Sequence, residues 1–235
     1  EGGVSAPLAL EGLSFQAFPG TLTALVGQTG SGKSTTAELA CALKLPLVGT
    51  VRICGVDTAD LDHRSDIRRH VGYVSQLPER QLFAETVFDD VAFGPRNMHM
   101  PEDEVRSRVC EALASVNLTP TDELLARSPF SLSGGQQRSV ALAGVLAMHQ
   151  DVLVLDEPMA GLDPDGRRHV RDLLRALKRA GTTLIMVTHS MEDVAELADH
   201  VIVLERGRAL LSGSPAKVLP TLLEPEEVSP HGDSR

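Results

Sequence analysis

Short apolar runs alternate with segments of helical periodicity along most of the chain, the arrangement that builds a parallel sheet covered on both faces. A first strand is expected over residues 8–15 and a second over 21–26, the latter bounded by Pro19-Gly20 and by Gly27. Residues 34–43 read as a helix closed off near Pro46, and short strands follow at 49–54 and 71–74. From 77 to 132 the texture changes to charged helices joined by short loops. Pro101 opens one of them, and Val105, Val109, Leu113 and Val116 recur on one face as a core-packing stripe. Strand–helix alternation resumes with the apolar run 152–155. A helix then carries Val170, Leu173, Leu174 and Leu177 on one face and stops at Gly181. Two more strands, 183–187 and 201–204, complete the expected sheet. After Leu223 a Glu-, Pro- and Ser-rich stretch has no apolar period and reads as disordered. No internal repeat is visible.

Composition narrows this picture. The 235 residues fit one large α/β domain with room for an inserted subdomain. Aromatic residues are only 3% and Trp is absent, so the core must rest on Leu, Val, Ile and Ala. The net charge of −10 argues against a broad basic face for nucleic acid. Residues 79–137 hold ten acidic and five basic side chains, which suits solvated helix faces or a partner surface. Cys41, Cys54 and Cys110 are widely spaced and match no metal pattern; they are expected as reduced, buried thiols in the cytosol. No apolar run is long enough to span a bilayer and no signal peptide is visible, so any membrane role must come through a partner.

The strongest chemical signal is Gly27-Gln28-Thr29-Gly30-Ser31-Gly32-Lys33-Ser34, followed by Thr35. It matches the phosphate-binding P-loop and lies between an expected strand and an expected helix. Its glycines allow backbone N–H groups to turn inward around phosphate oxygens beside a helix N-terminus. Lys33 supplies a charge for the β- and γ-phosphates, and the Ser34 hydroxyl a ligand for Mg²⁺. Further on, Val152-Leu153-Val154-Leu155 buries a strand from whose end Asp156 and Glu157 emerge. Asp156 is expected to hold Mg²⁺ through its water shell, and Glu157 to polarise the water that attacks the γ-phosphate.

Leu132-Ser133-Gly134-Gly135-Gln136 is the deciding motif. Paired glycines at the start of the helical pattern 138–146 make a second anion cradle. One chain needs one γ-phosphate site, so the second cradle suggests service to another subunit's ATP. With this motif the chain resembles the ATP-binding-cassette ATPases, over nearly all of residues 8–220. The resemblance implies an α/β fold of the P-loop, RecA-like type: a mainly parallel sheet flanked by helices, an antiparallel β portion and an inserted helical subdomain. It divides the single domain into a core of residues 1–78 and 138–223, an insertion at 79–137, and a tail at 224–235. It further implies ATP and Mg²⁺ as cofactors and a head-to-tail pairing with a second such subunit, identical or paralogous. Each ATP is then sandwiched between one P-loop and the opposite signature, Ser133, Gly134, Gly135 and Gln136. Gln76 falls where the family keeps a glutamine that reaches Mg²⁺ and senses the membrane partner. Gly161-Leu162-Asp163 resembles the loop joining the two sites, and His189 the histidine that contacts the γ-phosphate and orients Glu157.

One position departs from the family. Adenine usually stacks on an aromatic residue in the strand preceding Leu8-Ala9-Leu10-Glu11, yet no aromatic precedes Phe15 and the one tyrosine, Tyr73, lies elsewhere. Either that first strand is missing or weaker apolar contacts hold the base. Within the family, Gln81-Leu82-Phe83, Thr86-Val87 and Asp89-Asp90-Val91-Ala92-Phe93-Gly94-Pro95 resemble the energy-coupling-factor branch. That branch implies uptake of a vitamin or a transition-metal ion such as cobalt or nickel. It also implies an integral membrane subunit, a separate substrate-binding membrane component, and a peripheral location on the cytoplasmic face of the membrane. Leu82, Phe83, Val87, Val91 and Phe93 serve either as an apolar docking surface for the membrane subunit or as core of the insertion. A soluble relative acting on nucleic acid is disfavoured by the lack of zinc-binding cysteines, a long heptad segment and a basic patch. A non-hydrolytic sensor would be expected to lose Glu157 or His189, and both are present.

Overall fold

A computed structural model of the chain describes residues 9–60 and 62–223. Six strands form the central sheet: β1 (Leu22–Val26), β4 (Val71–Val74), β5 (Val152–Asp156), β6 (Thr183–Val187), β7 (His200–Glu205) and β8 (Arg208–Gly213). Their order is β4-β5-β6-β1-β7-β8, parallel throughout except for the antiparallel pair β7–β8. A separate hairpin pairs β2 (Arg52–Ile53) with β3 (Val56–Asp57).

Both sheet faces are dry, which is why the strands read as unbroken apolar runs rather than as alternating ones. Along β1, Leu22, Ala24 and Val26 join one core while Leu25 joins the other; β5, β6 and β7 divide in the same way. Helices α1 (Lys33–Ala40) and α2 (Arg64–His70) cover one face through Ala37 and Ile67. The other face is covered by α7 (Pro164–Arg179), α8 (Met191–Leu197) and α9 (Pro215–Leu223), through Val170, Leu174, Val194, Leu197 and Val218. Between β4 and β5 lie α3 (Val87–Asn97), α4 (Glu102–Ser115), α5 (Asp122–Ala126) and α6 (Gly134–Leu146), around a third core. The expected stripe is at its centre: Val105, Val109, Leu113 and Val116 are all buried. Helix α6 runs across residue 137 and packs on both this core and the sheet. Among the described residues no helix is long and apolar enough to cross a membrane.

Several expectations change in the folded chain. Residues 9–15 form no strand (Leu8 lies outside the described residues). The segment crosses over the P-loop instead, with the Glu11 N–H donating to the Gly207 carbonyl at 2.8 Å. A strand needs a ladder of such bonds, and none runs here. The first helix stops at Ala40, short of residue 43, because Ala42 takes a left-handed conformation and Leu43 and Lys44 donate back to the Glu38 carbonyl. The strand expected over 49–54 shrinks to two residues, since Cys54 and Gly55 turn the chain back at once. Strand β8 was not anticipated; its residues are mostly exposed on a sheet edge, where burial leaves little apolar pattern to read. Only Cys41 is a buried thiol, pushed up to about 12 by that burial; Cys54 is exposed and Cys110 half-buried. The segment expected to be disordered, 224–235, lies outside the described residues.

Candidate active site

Parallel strands bring their C-terminal ends to one edge, and the candidate residues gather there. The P-loop leaves β1 at Gly27, whose φ is 147°. A Cβ at that position would lie 2.2 Å from the Leu204 carbonyl oxygen, so only glycine allows the loop to pass this close to β7. Gly32, with φ 104°, is equally restricted: a Cβ there would meet the Leu10 side chain at 2.6 Å. Gln28, Thr29, Gly30 and Ser34 are exposed on the loop rim, Thr35 is half-buried, and Ser31 and Lys33 are buried.

The Lys33 ammonium donates to the carbonyls of Gly27 at 2.7 Å and Gln28 at 2.8 Å, and reaches Ser31 Oγ at 3.5 Å. Burial holds its pKa below the usual lysine value, against the opposing pull of Glu157 and Asp156. A buried cation held by neutral carbonyls and a hydroxyl is poised for an anion.

Asp156 ends β5, and burial raises its carboxyl above the usual range. Tyr73 of β4 donates its hydroxyl to Asp156 Oδ2 at 3.3 Å, a contact the sequence reading missed. Burial and this carboxylate in turn hold the Tyr73 phenol above its ordinary pKa. Glu157 has φ 49°, a conformation rare outside glycine, and its N–H is tied to the Val187 carbonyl at 2.9 Å. His189 Nε2 stands 3.3 Å from Glu157 Oε1. The contact falls short of hydrogen-bond geometry, so this buried oxygen has no hydrogen-bond partner. Burial raises the Glu157 carboxyl, and the nearby His189 acts against it. Gln76 is exposed two residues beyond the end of β4, the strand that pairs with β5.

The remaining residues stand at the N-termini of α6 and α7. Ser133 caps α6 in a reciprocal box: its Oγ accepts the Gln136 N–H at 3.3 Å, and its own N–H donates to Gln136 Oε1 at 3.1 Å. All four signature residues are exposed, and a Cβ on Gly134 or Gly135 would meet nothing within 4 Å. No hydrogen bond among the described residues joins them to the P-loop. Asp163 caps α7, accepting the Gly166 N–H at 2.7 Å.

Arg138 ties the signature helix to the loop that follows Glu157. From α6 it donates to the carbonyls of Pro158 and Ala160, each at 2.9 Å, gripping the loop that follows Glu157. Its position after the signature was legible; its partners were not. We expect Arg138→Ala to leave ATP binding nearly unchanged while turnover falls about tenfold, since small misplacements near the reacting water are costly. Arg138→Lys should not rescue it, because one ammonium cannot span both carbonyls as the guanidinium fork does. Steady-state kinetics in ATP check both; a raised KM at unchanged kcat would refute the positioning role.

A P-loop beside an apolar strand that ends in two carboxylates, on a mainly parallel sheet, defines a P-loop nucleoside triphosphatase. The fit to a nucleotide is physical: glycines where no Cβ has room, a buried lysine, and an unpartnered carboxylate oxygen. Comparison with known proteins narrows the class. The family model described as ABC transporter matches residues 10–160. The energy-coupling factor transporter ATP-binding protein EcfA2 of Symbiobacterium thermophilum is 48% identical over 223 residues, spanning 94% of this chain and 76% of that protein. Its Streptococcus thermophilus namesake is 49% identical over 205 residues, spanning 85% and 71%. Among solved structures, cbiO1 from Clostridium perfringens, part of the ABC transporter complex cbiONQ, matches with TM-score 0.80 at 37% identity, covering 90% of this chain and 84% of that one. The ATP-binding cassette MJ0796, dimeric in a post-hydrolysis state with ADP and Pi, matches with TM-score 0.79 at 28% identity, covering 92% and 94%. This chain belongs to the ABC transporter family, among the ATP-binding proteins of energy-coupling factor transporters, and is an ATPase coupled to transport.

Proposed function

We propose that this chain hydrolyses Mg²⁺-ATP in a head-to-tail pair with a second ABC ATPase, from the cytoplasmic face of the membrane, powering an integral subunit of an energy-coupling factor transporter. The observation that carries the pairing is the signature helix: a preformed N-terminus, capped, open and exposed, with no bond to its own P-loop. The dimeric state of MJ0796 and the membership of cbiO1 in a larger complex support the same reading.

In this scheme Gly27 to Thr35 cradle the phosphates, and Lys33 exchanges loop carbonyls for phosphate oxygens. Ser34, Gln76 and Asp156 hold Mg²⁺, which when bound neutralises phosphate charge. Glu157 takes the proton of the attacking water, oriented by His189. Asp163 communicates between the paired sites. Residues 79–137 face the membrane subunit. Of the apolar residues considered for docking, Leu82, Val87 and Val91 are buried in the helical core, whereas Phe83 and Phe93 are 59% and 50% exposed. Their rings meet edge to face at 4.9 Å, and that pair is the anchor we assign to the partner. The solute, a vitamin or a transition-metal ion, is chosen by a separate membrane component.

Ser133→Arg tests the composite site. It should bind ATP as a monomer almost normally, yet neither dimerise on ATP nor turn over, because a bulky side chain fills the cradle. Mixed with Lys33→Ala, it should regain some activity, since one interface of the mixed pair joins two intact elements. Zero activity in the mixture, with subunit exchange verified, counts against shared sites; substantial activity of Ser133→Arg alone rejects them.

A further inference from the structure

At the opposite end of the sheet from the nucleotide loops, three segments distant in sequence converge. Val71 is paired with Val152, so His70 and Asp151, one residue upstream of each, face one another at the N-terminal ends of β4 and β5. His70 Nδ1 lies 2.5 Å from Asp151 Oδ2. The tip of the β2–β3 hairpin sits against this pair. Cys54 and Gly55 form its two-residue turn, both with positive φ (50° and 85°), as such a tight hairpin requires. One ligand atom each from Cys54, His70 and Asp151 lie within 4.8 Å of one another. No spacing rule finds this set, because the residues are brought together only by sheet register and a hairpin turn.

We propose that Cys54, His70 and Asp151 bind a divalent transition-metal ion such as Zn²⁺, pinning the β2–β3 hairpin to the N-terminal edge of the sheet. Thiolate, imidazole and carboxylate are all ligands of Zn²⁺, whereas Mg²⁺ and Ca²⁺ take oxygen almost alone. Metal–ligand bonds of about 2.0–2.3 Å in a tetrahedron put ligand atoms roughly 3.3–3.8 Å apart. Cys54 therefore needs to close on the pair by up to about 1 Å, and His70 Nδ1 and Asp151 Oδ2, now 2.5 Å apart, to open by about 0.8 Å, both within reach of side-chain rotation at an exposed hairpin tip. The His70–Asp151 contact already brings two of the three groups together, and a metal bound by both takes the place of the proton they share. Three protein ligands leave a position for water, the mark of an exchangeable ion rather than a closed structural site. Strand β5 separates the cluster from Glu157 by about 20 Å at its rise per residue, so this site is distinct from the nucleotide site.

The test is a titration of the reduced full chain with Co²⁺ in excess Mg²⁺. A thiolate-to-cobalt charge-transfer band should appear, saturate at one ion per chain, and be displaced by Zn²⁺. Cys54→Ser should abolish the band; His70→Ala and Asp151→Asn should each weaken binding at least about tenfold. Cys41→Ser and Cys110→Ser should keep it. Zn²⁺ should also raise the melting temperature of the wild-type chain and not that of His70→Ala, a readout that does not depend on the thiol variant folding. No band in the wild-type chain, a band that survives Cys54→Ser, or one indifferent to His70 and Asp151 would overturn the site.

Discussion

Glu157→Gln is expected to bind ATP normally while hydrolysing it at least about a hundredfold more slowly. The amide keeps the size and shape of the carboxylate, so the loop with φ 49° and its tie to Val187 are undisturbed. What is lost is a carboxylate oxygen that the fold buries without a hydrogen-bond partner, 3.3 Å from His189. With hydrolysis blocked, an ATP-bound pair should accumulate and be seen by gel filtration. Loss of ATP binding would instead make Glu157 structural. The pH dependence sharpens the test. Burial raises the Glu157 carboxyl above the ordinary glutamate range, so wild-type hydrolysis should fail on acidification at a higher pH than an exposed glutamate would give. The acid limb should vanish from the residual activity of the variant. A raised folded-state pKa also means the fold binds the proton more tightly than the unfolded chain does. Stability is therefore lost as pH rises from the ordinary glutamate value through the raised one, and the penalty persists above it. At neutral pH Glu157→Gln should melt higher than wild type, a gain in stability bought with activity.

Lys33→Ala should weaken ATP binding, and hydrolysis with it, to the limit of measurement. Lys33 is 6% exposed and its charge-assisted contact to phosphate is made out of water, worth about 2–5 kcal/mol. That converts to a loss of roughly thirtyfold to several thousandfold in affinity. Lys33→Arg should rescue poorly: the guanidinium is larger than the space between Gly27, Gln28 and Ser31 that the ammonium fills. Calorimetric titration with ATP and a phosphate-release assay check both variants. Near-normal turnover of Lys33→Ala would remove the P-loop from the mechanism.

Much of this protein was legible in the order of its residues. Local motifs survive translation into structure because their chemistry is local: Gly27 to Ser34 turn a strand into a helix, and Ser133 with Gln136 caps α6 through bonds spanning three residues. Buried parallel strands announce themselves as apolar runs, so β1, β5 and β6 were placed to within a residue. Where burial is partial the signal fades, which is why β8 and the short hairpin were missed or misdrawn.

The sequence by itself therefore determined the fold class, the phosphate chemistry and the family, since each rests on contiguous residues or on periodic burial. The tertiary structure decided everything that depends on register between distant segments. It sets Tyr73 against Asp156, clamps Arg138 onto the loop after Glu157, and leaves Phe83 and Phe93 outside while Leu82, Val87 and Val91 go in. It also gathers Cys54, His70 and Asp151 at one end of the sheet. The Tyr73–Asp156 contact alone joins residues 83 positions apart, and only the packing of strands and helices fixes which side chains meet.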